Sequence, residues 1–411
     1  MVAAKYKQTE LGLIPSDWDV RNISEIADVD PDNLSSATNP DYEFKYISLE
    51  DVDNGILRSI SEIVFKNAPS RARRKVKKGD ILISTVRPNL KSHLLITEDV
   101  VNWICSTGFS VLRSKNGIDC TFLYNHFFAS TVNVQIENLI TGSNYPAINS
   151  KEVKALQIPL PPTKAEQTAI ASALSDADAL ISSLEKLIAK KRNIKQGAMQ
   201  KLLEPKEGWV VKKLGEIFVF HSTANYSKAE MTFDGEIGCL HYGLVHAIEN
   251  VLFSLEDGVK FYLKDSTTKY ELIQDGDVVM VDASEDFLGI NKCIELSKVS
   301  NQKFIAGLHT YLMRDTNNIF VNKFRGLILN SNAIKQQLLM LAVGMKVYGV
   351  SKTQLKEVLI SVPPKEEQTR IATILSDMDA EITALETKLE KYRKVKLGMM
   401  QNLLTGKIRL V

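Results

Sequence analysis

The sequence predicts an α+β protein. Two globular domains with curved β-sheets are joined by two long antiparallel coiled-coil helices with pseudo-two-fold symmetry. Three observations lead there. First, "PPTKAEQTAIASALSDADALISSLEKLIAKKRNIKQGAMQKLL" (Pro161–Leu203) returns as "PPKEEQTRIATILSDMDAEITALETKLEKYRKVKLGMMQNLL" (Pro363–Leu404). Gln167 aligns with Gln368, 368 − 167 = 201 residues on, and from there the two copies run without a gap. That period is too long for a solenoid repeat and reads as a duplicated half-protein. Second, the apolar residues of each copy recur at alternating spacings of three and four. Third, each copy follows a stretch rich in short β-type runs.

The helices come first because they fix the frame. Ile170, Leu174, Ala177, Ile181, Leu184 and Ile188 form one heptad seam; Ile371, Leu375, Met378, Ile382, Leu385, Leu389 and Tyr392 form the other. Thr163 and Glu166 have capping-box spacing, so the first helix is expected to begin there. Pro364 stands in the second copy, where proline suits a first turn. Glu204-Pro205 and Thr405-Gly406 are the stop signals. Each helix is then about 40 residues, or roughly 60 Å. A seam that long favours packing of one helix on the other, and a duplicated unit favours the antiparallel arrangement. The competing arrangement packs each helix on its own domain. Gly197 and Gly398, at matched positions inside the helices, allow either a close approach of another chain or a bend.

The expected domain limits are 1–158 and 205–360 for the globular parts, with helical segments at 159–204 and 361–411. "FKYISL", "DILIST", "HLLI" and "FSVLRS" read as strands in the first domain. "DVVMVD", "KCIEL" and "HTYLMR" do so in the second. "KKGDILIS" (Lys77–Ser84) pairs with "QDGDVVMV" (Gln274–Val281), and "PSDWDVRNISEI" with "PKEGWVVKKLGEI". One helical stretch near Thr121–Ile140, and one near Val321–Val343, completes each domain.

The 411 residues carry 51 basic and 49 acidic side chains, a net charge of +2. That balance excludes a histone-like polycation but leaves room for a local phosphate-binding patch. Four separated cysteines without a CxxC, no apolar leader and no run of membrane-spanning length point to a cytoplasmic chain. No GxGxxG after a strand and no GxxxxGK[ST] occur, so neither a dinucleotide or S-adenosylmethionine loop nor an ATP loop is expected. Cys239, His241 and His246 lack a matching fourth ligand for a metal. "PDYEFK" (Pro40–Lys45) imitates a nuclease motif, but its two carboxylates are too close in sequence to come from different strands.

The densest positive charge is "RARRKVKK" (Arg71–Lys78), six basic residues in eight. "STVRPNLK" follows the next strand. Read as basic loops flanking a strand, they offer Arg71, Arg73, Arg74, Lys75, Lys77, Arg87 and Lys91 to phosphates. Asn89, Ser143, Asn144 and Tyr145 are candidate base readers in the first domain. His241, Tyr242, His246, Ser284 and Lys346 are their counterparts in the second. Beyond the seams, Gln167, Arg192, Lys195, Gln196, Gln200, Arg393, Lys396 and Gln401 are candidate partner contacts, against the plainer possibility of a solvated face.

The doubled "P-L-P-P-x-x-x-E-Q-x-x-I-A-x-x-L-S-x-x-D" pattern resembles the specificity (S) subunits of type I restriction–modification enzymes. "YKQTELGLIPSDW" and "LGMMQNLLTGKIRL" extend the likeness to both ends. "HYGLVH", "VDASED" and "AGLHT" resemble one recurring type of target-recognition domain. The resemblance implies a non-catalytic DNA-recognition subunit with two target-recognition domains, each reading half of a bipartite site on double-stranded DNA. The helices would set the spacer and dock two methyltransferase (M) subunits. It implies that no cofactor binds this chain. S-adenosylmethionine would sit in the M subunits, and ATP and Mg in the restriction (R) subunits that join through the complex. A free-standing nuclease and a coiled-coil scaffold indifferent to DNA are the competing classes.

Overall fold

The computed structural model describes residues 5–140, 146–226, 228–248, 250–255, 261–264, 267–284, 289, 291–299, 303–342 and 348–410. The chain divides into two compact units. One is Met1–Glu185 with Lys388–Val411, the other Lys186–Thr387. Both long helices are therefore shared between units.

In the first unit, one sheet has the strand order Leu94–Leu95, Asp80–Ser84, Phe109–Ser114, Ala27–Val29. A second has the order Ser61–Val64, Glu43–Ile47, Trp103–Ser106, Ala72–Val76, with Glu43–Ile47 and Trp103–Ser106 parallel. The antiparallel ribbon of Asp19–Asn22 with Gln157–Leu160 joins the start of the globular part to the strand that feeds the first long helix.

The second unit repeats the plan. Its larger sheet runs Val219–His221, Thr310–Arg314, Val278–Val281, Cys293–Ser297, Leu252–Ser254. Its smaller one runs Met231–Thr232, Tyr262–Leu263, Ile237–Leu240, Lys303–Ala306. Val210–Lys213 pairs with Leu359–Val362 as the ribbon.

The repeated Gly-Asp has a physical cause. Gly79 (φ +85°) and Gly276 (φ +83°) take the left-handed conformation that tightens the turn into each central strand. The next residue, Asp80 or Asp277, is buried. Its carboxylate closes the turn by accepting the N–H of Lys77 or Gln274, each at 2.8 Å. An arginine on the neighbouring strand grips it with two nitrogens at 2.8 and 2.7 Å, Arg113 on Asp80 and Arg314 on Asp277. These bonds raise the pKa of both guanidiniums, so the buried charges stay paired.

Each expected single helical stretch is two short helices. Cys120–His126 is followed by Ser130–Leu139, and Arg325–Leu329 by Asn332–Leu341. At the breaks Ala129 and Ser331 are extended (ψ 148° and 154°), which interrupts the helical hydrogen bonding.

The long helices span Lys164–Leu202 and Lys365–Leu403. Both predicted packings occur, in different stretches. Ile170 and Leu174 are buried in the core of the first unit with Trp18, Phe122, Met400 and Leu403. Ile371 and Leu375 are buried in that of the second with Leu203, Phe320 and Phe324. Farther along, the helices bind each other. In the second unit Lys195 pairs with Asp379, and Arg192 with Glu386 at 2.6 Å. In the first, Lys396 pairs with Asp178, and Arg393 with Glu185 at 2.7 Å. Each pair is the 201-residue copy of another with the roles of the two helices exchanged. That exchange is the antiparallel pairing of the helices expected from the duplicated unit.

The capping box at Thr163 is half made. Its hydroxyl accepts the Glu166 N–H at 3.3 Å. The Glu166 carboxylate instead takes two bonds of 2.7 Å from Arg409. A charged two-pronged partner outcompetes a neutral backbone N–H. A Cβ built on Gly197 or on Gly398 meets nothing within 4 Å, and both helices are continuous through them. Neither a close approach by a described part of this chain nor a break in the helix accounts for them.

Candidate DNA-reading surface

In both units the chain leaves the central strand by the same three backbone steps. The N–H of Thr85 donates to Gly108 O at 2.8 Å; that of Asp282 donates to His309 O at 3.1 Å. Val86 then bridges Ala147, as Ala283 pairs with Gly349. The Arg87 N–H donates to Pro146 O at 2.7 Å, and Ser284 lies opposite Tyr348. The frame is common while the side chains on it differ, which is what a surface reading two different sequences requires.

Beyond this frame the first unit makes a tight turn over Pro88–Leu90, flanked by Arg87 (φ +50°) and Lys91 (φ +53°). Left-handed backbone at two non-glycine residues is strained, and strain of this kind concentrates at functional sites. Arg87 and Asn89 are exposed and Lys91 is half-buried. Ser143, Asn144, Tyr145 and Lys346 lie outside the described residues.

The basic run differs from its expectation. It forms a strand, Ala72–Val76, rather than a loop, because Ala72 and Val76 point into the core. Alternation then turns one basic residue, between Ala72 and Val76, inward. That residue is Arg74. It pairs with Asp30 and approaches the hydroxyls of Ser110 and Ser150, each at 3.3 Å. With 13% of its side chain exposed, it is held by Asp30 rather than free on a loop as expected. Arg73 lies over the Phe65 ring at 4.9 Å and donates to Ala72 O at 2.8 Å. Lys77 sits 3.4 Å from Asp32, whose pKa is held low by its hydrogen bond to Arg113. Arg71 and Lys75 are exposed.

In the second unit, Tyr242 packs edge-on against His309 at 5.5 Å and against His246 at 6.4 Å. His241 faces its own backbone: Nδ1 accepts the Gly243 N–H at 3.1 Å and caps Tyr242–Ala247. Lys292 donates to His246 O at 2.9 Å. Ser284 is 5% exposed, so the frame buries it instead of presenting it. The cluster adds two residues not singled out from sequence. His309 (φ +55°) places Nδ1 3.2 Å from an Asp282 carboxylate oxygen. Burial raises the pKa of Asp282, and His309 opposes that shift. "VDASED" and "AGLHT" carried the signal, as motifs without an assigned role.

Among the candidate partner contacts, Gln167 is buried and bonded within its own unit, which removes it from any outer face. Arg192, Lys195, Arg393 and Lys396 bind the opposite helix. Gln196, Gln200 and Gln401 are exposed. No helix among the described residues is long and apolar enough to cross a membrane.

Two copies of one α+β unit, each ending in a long helix and each carrying a variable surface on a fixed frame, define a two-headed recognition protein. The family model described as "Type I restriction modification DNA specificity domain" matches residues 15–195 and 206–392. The chain belongs to that family. It is 27% identical to the MjaX specificity subunit of Methanocaldococcus jannaschii, provisionally described as that of a type I restriction enzyme, over 98% of this chain and 97% of that one. It is 26% identical to the type I restriction enzyme MjaVIII specificity subunit of the same organism, over 97% and 94%. In fold it resembles a chain from a type I R-M system solved for its complex assembly and conformational transition (TM-score 0.63, 20% identity, 96% and 99% covered). It also resembles the HsdS subunit from Thermoanaerobacter tengcongensis (TM-score 0.51, 21% identity, 96% and 98% covered).

Proposed function

We propose that this chain is the non-catalytic DNA-specificity subunit of a type I restriction–modification complex, each unit reading one half of a bipartite site. The observation that carries this is the repeated exit from the central strand. One backbone frame presents Arg87, Asn89 and Lys91 in one unit and Asp282 and His309 in the other. Phosphate contacts from Arg71, Lys75, Arg87 and Lys91 fix position, and the variable side chains meet base edges in the major groove. The paired helices hold the two readers at one separation, which becomes the spacer between half-sites.

M subunits dock on the outer faces of the helices, where Gln196, Gln200 and Gln401 are exposed. S-adenosylmethionine belongs to those subunits, and ATP and Mg to the R subunits. The duplicated half-protein favours two M subunits, and the complex works in the cytoplasm on double-stranded DNA. The test co-expresses the chain with its M subunit and sequences methylated adenines. A two-part motif with a fixed spacer is expected; cleavage or methylation of DNA by the isolated chain would overturn the reading.

A further inference from the structure

Resting on the DNA-reading function just proposed, we propose that Asp282, oriented by His309, determines specificity at one base pair of the half-site read by the second unit. It does so by accepting a hydrogen bond from an exocyclic amino group of cytosine or adenine in the major groove.

The two units differ at this pair. Thr85 and Asp282 occupy the same place on the frame, as do Gly108 and His309. In the first unit the place is silent: Thr85 is buried and its hydroxyl donates to Gly108 O at 2.8 Å. Gly108 carries no side chain, and a Cβ there would lie 2.5 Å from Leu49 Cδ1, which would have to move. In the second unit the same place carries two polar side chains that reach the surface. The Asp282 side chain is 26% exposed and that of His309 51%.

The chemistry narrows the ligand. His309 Nδ1 faces the Asp282 carboxylate, so in the neutral ring the proton sits on Nδ1 and is donated to that oxygen. What remains is the second carboxylate oxygen and the lone pair on Nε2, both acceptors. An acceptor-only site matches the amino groups of cytosine N4 and adenine N6 and mismatches guanine O6 and N7. A carboxylate near DNA repels phosphates, so it weakens binding in general and favours only sequences that present a donor to it. His309 keeps a left-handed backbone to stay there, and the Tyr242 ring edge-on to it restricts its rotation.

The test uses the complex of this chain with its M subunit. Methylation rates are measured on the preferred duplex and on duplexes substituted singly at every half-site position, for wild type, Asp282→Asn and His309→Asn. Asparagine tolerates the left-handed conformation at position 309. At one base pair of one half-site, Asp282→Asn is expected to reduce discrimination about tenfold or more. His309→Asn should act at the same base pair, and every position of the other half-site should keep its discrimination. Unchanged discrimination everywhere, or an even loss over both half-sites, overturns the proposal. If Asp282→Asn fails to assemble, His309→Asn decides by the same criterion. A wild-type complex that ignores two-part sequences refutes the functional reading itself, and that outcome is visible before either variant is compared.

Discussion

Gln167 holds Asp119: its side-chain oxygen accepts the Asp119 N–H at 2.9 Å, 48 residues away in sequence. Asp119 in turn caps the next helix through the N–H groups of Thr121 and Phe122 and accepts from the Thr168 hydroxyl. Gln368 repeats the motif on the Val321 N–H at 2.8 Å and donates to Pro363 O at 2.8 Å. The glutamine of the doubled "EQ" thus fastens each long helix to its own globular unit. Leucine at either position fills a similar volume but leaves a backbone N–H unsatisfied. Gln167→Leu and Gln368→Leu are each expected to destabilise by about 1–3 kcal/mol in denaturant unfolding. Gln368→Leu should cost more, because it loses more bonds.

Arg74 and Arg71 should behave oppositely. Arg74→Ala leaves the half-buried Asp30 without its cation, which costs on the order of 1–3 kcal/mol and shows as a lowered melting temperature. Arg71→Ala should leave stability nearly unchanged. In the assembled complex it should weaken DNA binding across all sequences and reduce the salt dependence by about one unit of slope.

His126 is fully buried with neither ring nitrogen hydrogen-bonded, and burial pushes its pKa down to about 3. His93, which accepts the Ser84 N–H at 3.1 Å, is likewise held near 3 by burial and by nearby Lys91. The unfolded chain takes up these protons below about pH 6.5 whereas the folded chain refuses them. Stability is therefore whole above pH 6.5 and falls as pH drops toward 3, by up to about 1.4 kcal/mol per pH unit for each histidine. His126→Phe should fold normally at pH 7 and lose about one proton's worth of that slope in unfolding curves between pH 6.5 and 4.

The Lys195–Asp379 pair is partly buried, at 14% and 21% side-chain exposure. Lys195→Glu places two carboxylates together and is expected to destabilise the second unit on the order of 1–3 kcal/mol. Exchanging the charges in Lys195→Glu with Asp379→Lys should recover most of that loss. A double-mutant cycle measures the coupling.

Gly197→Ala and Gly398→Ala meet no atom of the described chain, and each should stabilise the helix by up to about 1 kcal/mol. If either variant also fails to co-purify with the M subunit, the close approach that keeps glycine there comes from that partner.

The sequence by itself determined the duplication, the seams, the individual strands and the two-headed plan. Those features are periodic: they repeat every 3.5 residues, every two residues or every 201, and periodicity survives in one dimension. What each polar side chain touches was decided only in three dimensions. Arg74 meets Asp30 across 44 residues, Gln167 meets Asp119 across 48, and His309 meets Asp282 across 27. A basic residue in a charged run and a glutamine on a helix look solvated in sequence. Strand alternation turned Arg74 inward, and the docking of the long helix beside the Asp119 cap turned Gln167 inward. The reading pair at Asp282 became visible only when the two central strands could be compared step by step, because their exits share backbone bonds and differ in side chains.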